Sequence, residues 1–544
     1  MVYIPGVRMR WANIVLIAVT VVLGTLAAEY TVRWLDNEND ESPAARHVDS
    51  LPLAAGVERA WFFTDPAPLP NRRPPSAEDV ELVRRVERSG VTEGTRRADM
   101  FKAWNARFVG DPCRHAYLCG APGRIYVYDP PNGETRPPYR FMPDASTPVG
   151  LVTNAFGFRG APVPAARQPR TVRIAFVGAS TTVGNHFYPW SYPDFVGHWL
   201  NLWATERKLG VRFEVLNAGR ESINSSDNVV IVRDEIMPLQ PDLLVYYEGA
   251  NQFNLRTLQG EPMTTAQRPP LARGEACPGR PVPPSPAPLP PVHPSAVSTT
   301  GAAPPAGPAP ATPAAASPAA PAPQTSWLDD LAYDSALLRR VQALRKAGQK
   351  VEGGGEPEKP AYTLTWPAGL DEGDPDIGRA DLPINLSIIL RDLDAIDGLA
   401  RADGAELVLA SFIWLVRDGM VLDPIRHRSI LDYLNQGYAP FRYADLERMA
   451  AFENRVFAKY AKARNLPFID VARAMPFDPD LFIDAIHNSA AGERVRAWIF
   501  FQGLVPIVER HLKAGDWPRT VPPAKRPPPT FTPRVMTFDC SGNR

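Results

Sequence analysis

Net charge is the first thing this chain lacks: 59 basic and 59 acidic side chains cancel over 544 residues. A neutral chain has no overall field to draw it onto DNA, RNA or an anionic surface, and no nucleic-acid-binding motif is present. Cysteine is scarce, with four in the whole sequence, and no CxxC pair or HExxH helix offers a metal site. Cys113 and Cys119 could close a small loop, while Cys277 and Cys540 border flexible-looking stretches and their pairing is open. Such usage fits an oxidising compartment. Long apolar runs are nearly absent too. The exception is Trp11 to Ala28, 18 uncharged and mostly apolar positions. As a helix these would just span a hydrocarbon core of roughly 30 Å.

Arg8 and Arg10 precede that run, and the acidic Glu29, Asp36, Glu38, Asp40 and Glu41 follow it. The distribution of basic residues puts residues 1–10 in the cytoplasm, makes 11–29 a transmembrane anchor and sends everything after residue 30 outside. A cleaved signal peptide, with small residues Thr25, Ala27 and Ala28 at a cleavage point, is the competing reading. The run is longer than the usual signal core of roughly 7–15 residues, which favours the anchor.

What the chain has in excess is proline, 61 residues in all, and they cluster. From Pro278 to Pro323 there are 17 prolines among Ala, Ser and Thr with no periodic apolar face. This composition cannot bury enough surface to offset its ordering entropy, so a solvated Pro-rich tether over 278–324 is expected inside an insertion spanning 257–375. A short amphipathic helix over 327–347 should follow it, with Ser326 as N-cap and Leu328, Leu331, Leu338 and Val341 on its apolar side. Residues 30–165 read as a stalk plus an extension packed on the main domain, with one short helix around Ala77–Val86. Residues 516–544 read as a Pro-rich tail.

The remaining segments, 166–256 and 376–515, form the two halves of one domain. Strand-like runs at Val172–Val177, Arg212–Asn217, Asp242–Tyr247, Ala405–Phe412 and Pro467–Val471 alternate with helical patterns near Tyr192–Lys208, Ser226–Ile236, Ser387–Ala402, Asp445–Arg464 and Ala490–His511. This alternation implies an α/β fold with a five-stranded parallel sheet covered on both faces.

Ligands of such sheets bind beyond the carboxyl ends of the strands. Ser180 follows the first strand, Asn217-Ala218-Gly219 ends the second, and Glu248-Gly249-Ala250-Asn251 follows the third. Asp484 and His487 lie in a loop before the last helix. A serine hydroxyl becomes a nucleophile when an adjacent base takes its proton, and a His steadied by a carboxylate is the usual base. Ser180 is therefore the candidate nucleophile, His487 the base and Asp484 its orienting acid. The N–H of Ser180, the N–H of Gly219 and the side-chain amide of Asn251 are candidate oxyanion donors. Alone, each block also reads as turn chemistry or a surface pair. Their shared position at one sheet edge is what points to an ester-type site. Tyr188, Trp190 and Tyr192 follow the nucleophile loop, and core packing is the stronger reading for them than a pocket lining.

These four blocks resemble the SGNH subgroup of GDSL hydrolases over about residues 150–256 and 376–512. The matching positions are Ser180, Gly219, Asn251 and His487, with Asp484 three residues before the His. Asn154-Ala155-Phe156-Gly157-Phe158-Arg159-Gly160 resembles the lead-in of many bacterial members. The resemblance implies a flavodoxin-like three-layer sandwich, a bacterial inner-membrane setting with an extracytoplasmic domain, no cofactor, and hydrolysis of acyl esters through an acyl-enzyme on Ser180. Ester-bearing substrates such as O-acylated envelope glycans are the expected partners. The family's Gly-Asp-Ser is Gly178-Ala179-Ser180 here, and its Gly-x-Asn-Asp is Gly249-Ala250-Asn251-Gln252. An O-acyltransferase would use the same residues. A non-catalytic accessory subunit of a membrane complex, docking through its Pro-rich arm, would need only the fold. A Gly-x-Ser-x-Gly elbow is ruled out by Thr182, and a Walker A loop by the missing lysine.

Overall fold

The computed structural model describes residues 11–35, 41–74, 125–127, 335–338, 341, 354–358, 526–529 and 534–536. It also describes 136–252 and 369–520 apart from single or paired gaps. The four cysteines, the Ala77–Val86 pattern and the Pro278–Pro323 tract lie outside the described residues. So does most of the 327–347 helical pattern.

The chain divides into two compact units: residues 1–33 with 283–346, and residues 34–282 with 347–544. In the first, α1 (Trp11–Leu35) is a 25-residue helix. Its segment Asn13–Arg33, with a mean hydropathy of 2.0, is long and apolar enough to cross a membrane.

The second unit is built on five parallel strands: β1 (Thr171–Gly178), β2 (Arg212–Asn217), β3 (Leu243–Tyr247), β4 (Glu406–Ala410) and β5 (Phe468–Ile469). They lie in the order β2-β1-β3-β4-β5. Register is set by Ile174 opposite Val215, Val177 opposite Tyr246, Val245 opposite Val408 and Leu409 opposite Phe468. β1 and β3 are buried at every position, as expected for strands covered on both faces. One cover is the pair α2 (Tyr192–Glu206) and α3 (Ala490–Ala514). The other comprises α4 (Ser225–Ile231), α5 (Leu386–Ala402) and α6 (Tyr443–Arg464). The result is the flavodoxin-like three-layer sandwich that the resemblance implied.

Local signals explain the element ends. Ser191 and Asp194 form a capping box at the start of α2, and Asn224 and Asp227 form one at the start of α4. The helix expected over Ser226–Ile236 begins one residue earlier and passes at Val232–Ile236 into a π-helical turn. α6 ends on Asn465 in the left-handed region, which a short polar side chain tolerates.

Residues 41–74 pack on α2 and α3. Phe62 stacks near Trp199 and meets Trp498 edge-on, and Arg494 is bonded to Glu41, Asp65 and the carbonyl of Phe62. Residues 354–358 also belong to this unit's surface. The Leu422 N–H donates to the Gly354 carbonyl at 2.6 Å, and Glu356 accepts from the Tyr443 N–H at 3.1 Å.

Candidate active site

The order β2-β1-β3 places the loop after β1 between the loops after β2 and β3, at the sheet's switch point. β1 ends in Gly178, where the two strands crowd together. A Cβ there would lie 2.0 Å from the Tyr247 carbonyl oxygen and 2.3 Å from Thr182 Oγ1, so only glycine fits. The helical turn Ser180–Val183 follows directly. Thr182 Oγ1 donates to the Tyr247 carbonyl at 2.8 Å, which ties this turn to β3. Ser180 is thereby set at the tip of a central strand by contacts from its own turn and from its neighbour.

His487 reaches it from the loop before α3. Its Nε2 is 2.8 Å from Ser180 Oγ, and its Nδ1 is 2.8 Å from Asp484 Oδ2. The Asp484 carboxylate is itself fixed, because its Oδ1 accepts from the N–H groups of Ile486 and His487, both at 2.9 Å. Two further bonds hold the loop. The Ile483 N–H donates to the His487 carbonyl at 2.9 Å, and the Leu415 N–H, beyond β4, donates to the Ala485 carbonyl at 2.8 Å. Burial works to raise the Asp484 carboxyl. The charge and hydrogen bond of His487 and the two backbone N–H groups outweigh it and hold the carboxyl below the usual carboxylate range.

The three expected oxyanion donors are placed differently from one another. Ser180 opens its helical turn, where an N–H has no intrahelical partner. The amide of Asn251 donates one hydrogen to the Ile223 carbonyl at 2.7 Å, which leaves its second N–H to give. The Gly219 N–H is engaged: it donates to Asn217 Oδ1 at 3.1 Å, while Asn217 Nδ2 donates to the Thr182 carbonyl at 2.9 Å. The lack of a side chain at 219 has a steric cause. A Cβ would come within 2.6 Å of the Val183 N and 2.9 Å of Thr182 C, on the nucleophile turn.

Several supports had no role assigned to them from the sequence. Arg159 is buried and donates to three carbonyls beyond the nucleophile: Val183 at 2.6 Å, Asn185 at 2.9 Å and Tyr188 at 2.9 Å. It ends the Asn154–Gly160 lead-in. There Asn154 Oδ1 takes the N–H groups of Phe156 and Phe158, and the Arg159 N–H reaches the Asn217 carbonyl at 3.2 Å. Glu493 on α3 accepts from the Asn185 N–H at 3.2 Å and from Arg496 at 2.7 Å on each oxygen. Behind the Gly249–Asn251 turn lies Glu453 on α6, fully buried. A Cβ on Gly249 would meet Glu453 Oε1 at 2.4 Å. Burial, with the Glu248 charge adding to it, pushes the Glu453 carboxyl well above its usual range.

The aromatic residues after the nucleophile belong to the core. Tyr188 and Tyr192 are buried. Tyr192 stacks on Phe500 with centroids 5.0 Å apart, and Arg496 lies 4.3 Å over its ring. Trp190 is partly buried against Tyr188 and Phe195. Among the described residues, no group of three His, Cys, Asp or Glu side chains is placed to hold a metal ion.

No protein-family model matches the chain, and no curated protein matches its sequence. Among solved structures it is similar to an acetyl xylan esterase from Geobacillus stearothermophilus (12% identical, covering 63% of this chain and 97% of that one, TM-score 0.29). It is also similar to a lipase/acylhydrolase from Enterococcus faecalis (12% identical, 62% and 96% covered, TM-score 0.28). A GDSL-like lipase from Bacteroides thetaiotaomicron is a third (11% identical, 63% and 88% covered, TM-score 0.26). At such scores the chemistry of this chain rests on its own strand order and side-chain geometry, and not on its neighbours.

Proposed function

We propose that this protein is a membrane-anchored serine esterase of the SGNH type, with Ser180 as nucleophile, His487 as general base and Asp484 as the group that orients it. The observation that carries this reading is the pair of 2.8 Å contacts linking Ser180 Oγ to His487 and His487 to Asp484. Both lie within the hydrogen-bond reach that a nucleophile–base–acid relay needs.

In the first step Ser180 Oγ gives its proton to His487 Nε2 and attacks the ester carbonyl. Asp484 keeps Nδ1 protonated and stabilises the imidazolium. The oxyanion takes the Ser180 N–H and the second Asn251 N–H. The imidazolium then protonates the departing alkoxide and leaves an acyl group on Ser180. Water, deprotonated by His487, releases the acid in the second half. An uncleaved α1 puts the catalytic unit on the extracytoplasmic side of a bacterial inner membrane, where O-acylated glycans are the substrate class such a site meets.

Hydrolysis of a short-chain aryl ester, together with labelling by a serine-reactive fluorophosphonate, tests the reading. Ser180→Ala should abolish labelling. Both it and His487→Ala should lower kcat/KM by about 10⁴-fold or more. Unchanged turnover in either variant would remove the assignment.

A further inference from the structure

Glu29 is the residue immediately after the uncharged run Trp11–Ala28, and in α1 its carboxylate has an unusual set of partners. Besides Arg33, at 2.7 Å, it accepts from Ser335 Oγ at 2.8 Å, the Ala336 N–H at 2.8 Å and the Leu337 N–H at 2.9 Å. The carboxylate thus serves as the N-terminal cap of the helical turn that begins at Ala336, supplied from a site some 300 residues earlier in the chain. This contact fixes the height of the turn: it sits level with the outer end of the apolar run.

The chemistry of the turn suits that height. Leu338 and Val341 are 37% and 40% exposed, although Ala336 beside them is buried. From Ser335 to Lys350 the sequence carries Arg339, Arg340, Arg345, Lys346 and Lys350 and no acidic residue, within a chain that is neutral overall. Exposed aliphatic side chains in a locally basic segment are the composition of an element that lies in the interface between acyl chains and anionic headgroups. We propose that the turn at Ser335–Leu338 docks on the anionic lipid surface beside the anchor. Leu338 and Val341 enter the interface, and Glu29 holds the turn at that level. The proposal rests on α1 being an uncleaved anchor.

The test uses the full chain reconstituted into vesicles of acyl-brominated phosphatidylcholine, with and without phosphatidylglycerol. An environment-sensitive fluorophore is placed on Leu338→Cys, and the parent chain, treated alike, is the blank. The expected result is quenching of the label by the brominated chains, several-fold stronger with phosphatidylglycerol and reduced by salt. Arg339→Gln combined with Arg340→Gln should weaken surface affinity by roughly fivefold per charge removed. Vesicle-embedded protein that resists carbonate extraction yet shows no quenching in either lipid overturns the proposal and leaves the anchor intact, as does quenching that a soluble protein partner removes. Quenching equal in both lipids and indifferent to salt overturns the headgroup recognition. Protein that carbonate strips from the vesicles overturns the anchor, and the docking with it.

Discussion

Glu453→Gln isolates one buried carboxyl behind the Gly249–Asn251 turn. The groups around Glu453 come from three elements. Glu248, which follows β3, accepts from Tyr246 Oη at 3.0 Å. Trp414, beyond β4, works weakly against the rise of the Glu453 carboxyl, and Gly249 presses against Oε1. Asp392 on α5, a further buried carboxylate that adds to the negative field at Tyr246, takes the hydroxyls of Ser225 and Ser226. With a folded pKa above its unfolded value, Glu453 in the native state binds a proton that the unfolded chain releases. Its contribution to stability is therefore whole below the ordinary carboxyl value, about 4.3. It declines as pH rises toward the folded pKa, by about tenfold in the unfolding equilibrium per pH unit, and is lost once pH passes it. A Gln side chain mimics the protonated form and does not titrate. Urea unfolding of parent and variant, followed by the fluorescence of buried tryptophans such as Trp199, Trp203 and Trp498, should show curves that converge in mild acid. Their separation should grow in favour of the variant toward neutral pH, with m unchanged. Midpoints that move in parallel across this range would refute the reasoning, because they would mean that Glu453 keeps its charge in the fold.

Asp484→Asn removes the group that fixes the His487 tautomer and should lower kcat by about 10⁴-fold with little change in KM. Because folding lowers the Asp484 pKa, its contribution to stability is present above the ordinary carboxyl value and fades as pH falls through the folded one. The stability gap between parent and this variant should accordingly be constant at neutral pH and close in strong acid, as read by urea midpoints. Arg159→Gln removes one donor from each of three buried carbonyls. Val183 keeps Asn217 Nδ2 at 3.4 Å and Asn185 keeps the Tyr188 N–H at 3.3 Å, so the change should cost about 1–3 kcal/mol by denaturant unfolding, the cost of one orphaned group. The aryl-esterase kcat should fall further than that unfolding accounts for. Gly219→Ala forces a Cβ onto the backbone of Thr182 and Val183. It should lower both the melting temperature and kcat, whereas Ala218→Gly, one residue earlier, should affect stability alone.

The legible part of this fold was what repeats. Strands buried on both faces are continuous apolar runs, and helices against them carry a 3.6-residue period, so five strands and their helices could be placed within a few residues of where they lie. Ser180, Asp484 and His487, which the fold brings into contact, could be singled out for a related reason: the proposed nucleophile, base and acid must be particular residue types, and the sheet edge says where to look for them. Arg159 and Glu453 follow no such rule. Arg159 acts through carbonyls, which every residue has, so nothing in the 183–188 segment marks it as their donor. Glu453 sits mid-helix among charged neighbours, Glu447, Arg448 and Arg455, and reads as solvated surface. It is buried because α6 turns that face onto the end of β3. Gly219 misled in the opposite direction. A glycine at an oxyanion position suggests a free N–H, but the structure gives that N–H to Asn217 and uses the missing side chain to let two loops touch.

The engagement of Gly219 bears on how the site stabilises charge. Asn217 bonds at once to the Gly219 N–H and to the Thr182 carbonyl, so it couples the loop after β2 to the turn that carries Ser180. Arg159 adds the Val183 carbonyl on the same turn and reaches the Asn217 carbonyl through its own N–H. Thr182 Oγ1 adds β3. The turn that carries Ser180 is thereby fastened to three separate segments. An oxyanion site works through donors set in place before charge develops, since donors that must reorient give back much of what they stabilise. On this geometry the protein fixes its serine by crowding glycines 178, 219 and 249 against neighbouring backbone and buried side chains. Ala179 and Gln252, which stand where the motif blocks that the sequence resembles carry aspartate, lie outside these contacts. Introducing an aspartate at the first of them, Ala179→Asp, should therefore leave esterase kcat within a few-fold of the parent; a rise of a hundredfold or more would show that the aspartate, and not the clamped turn, is what limits catalysis.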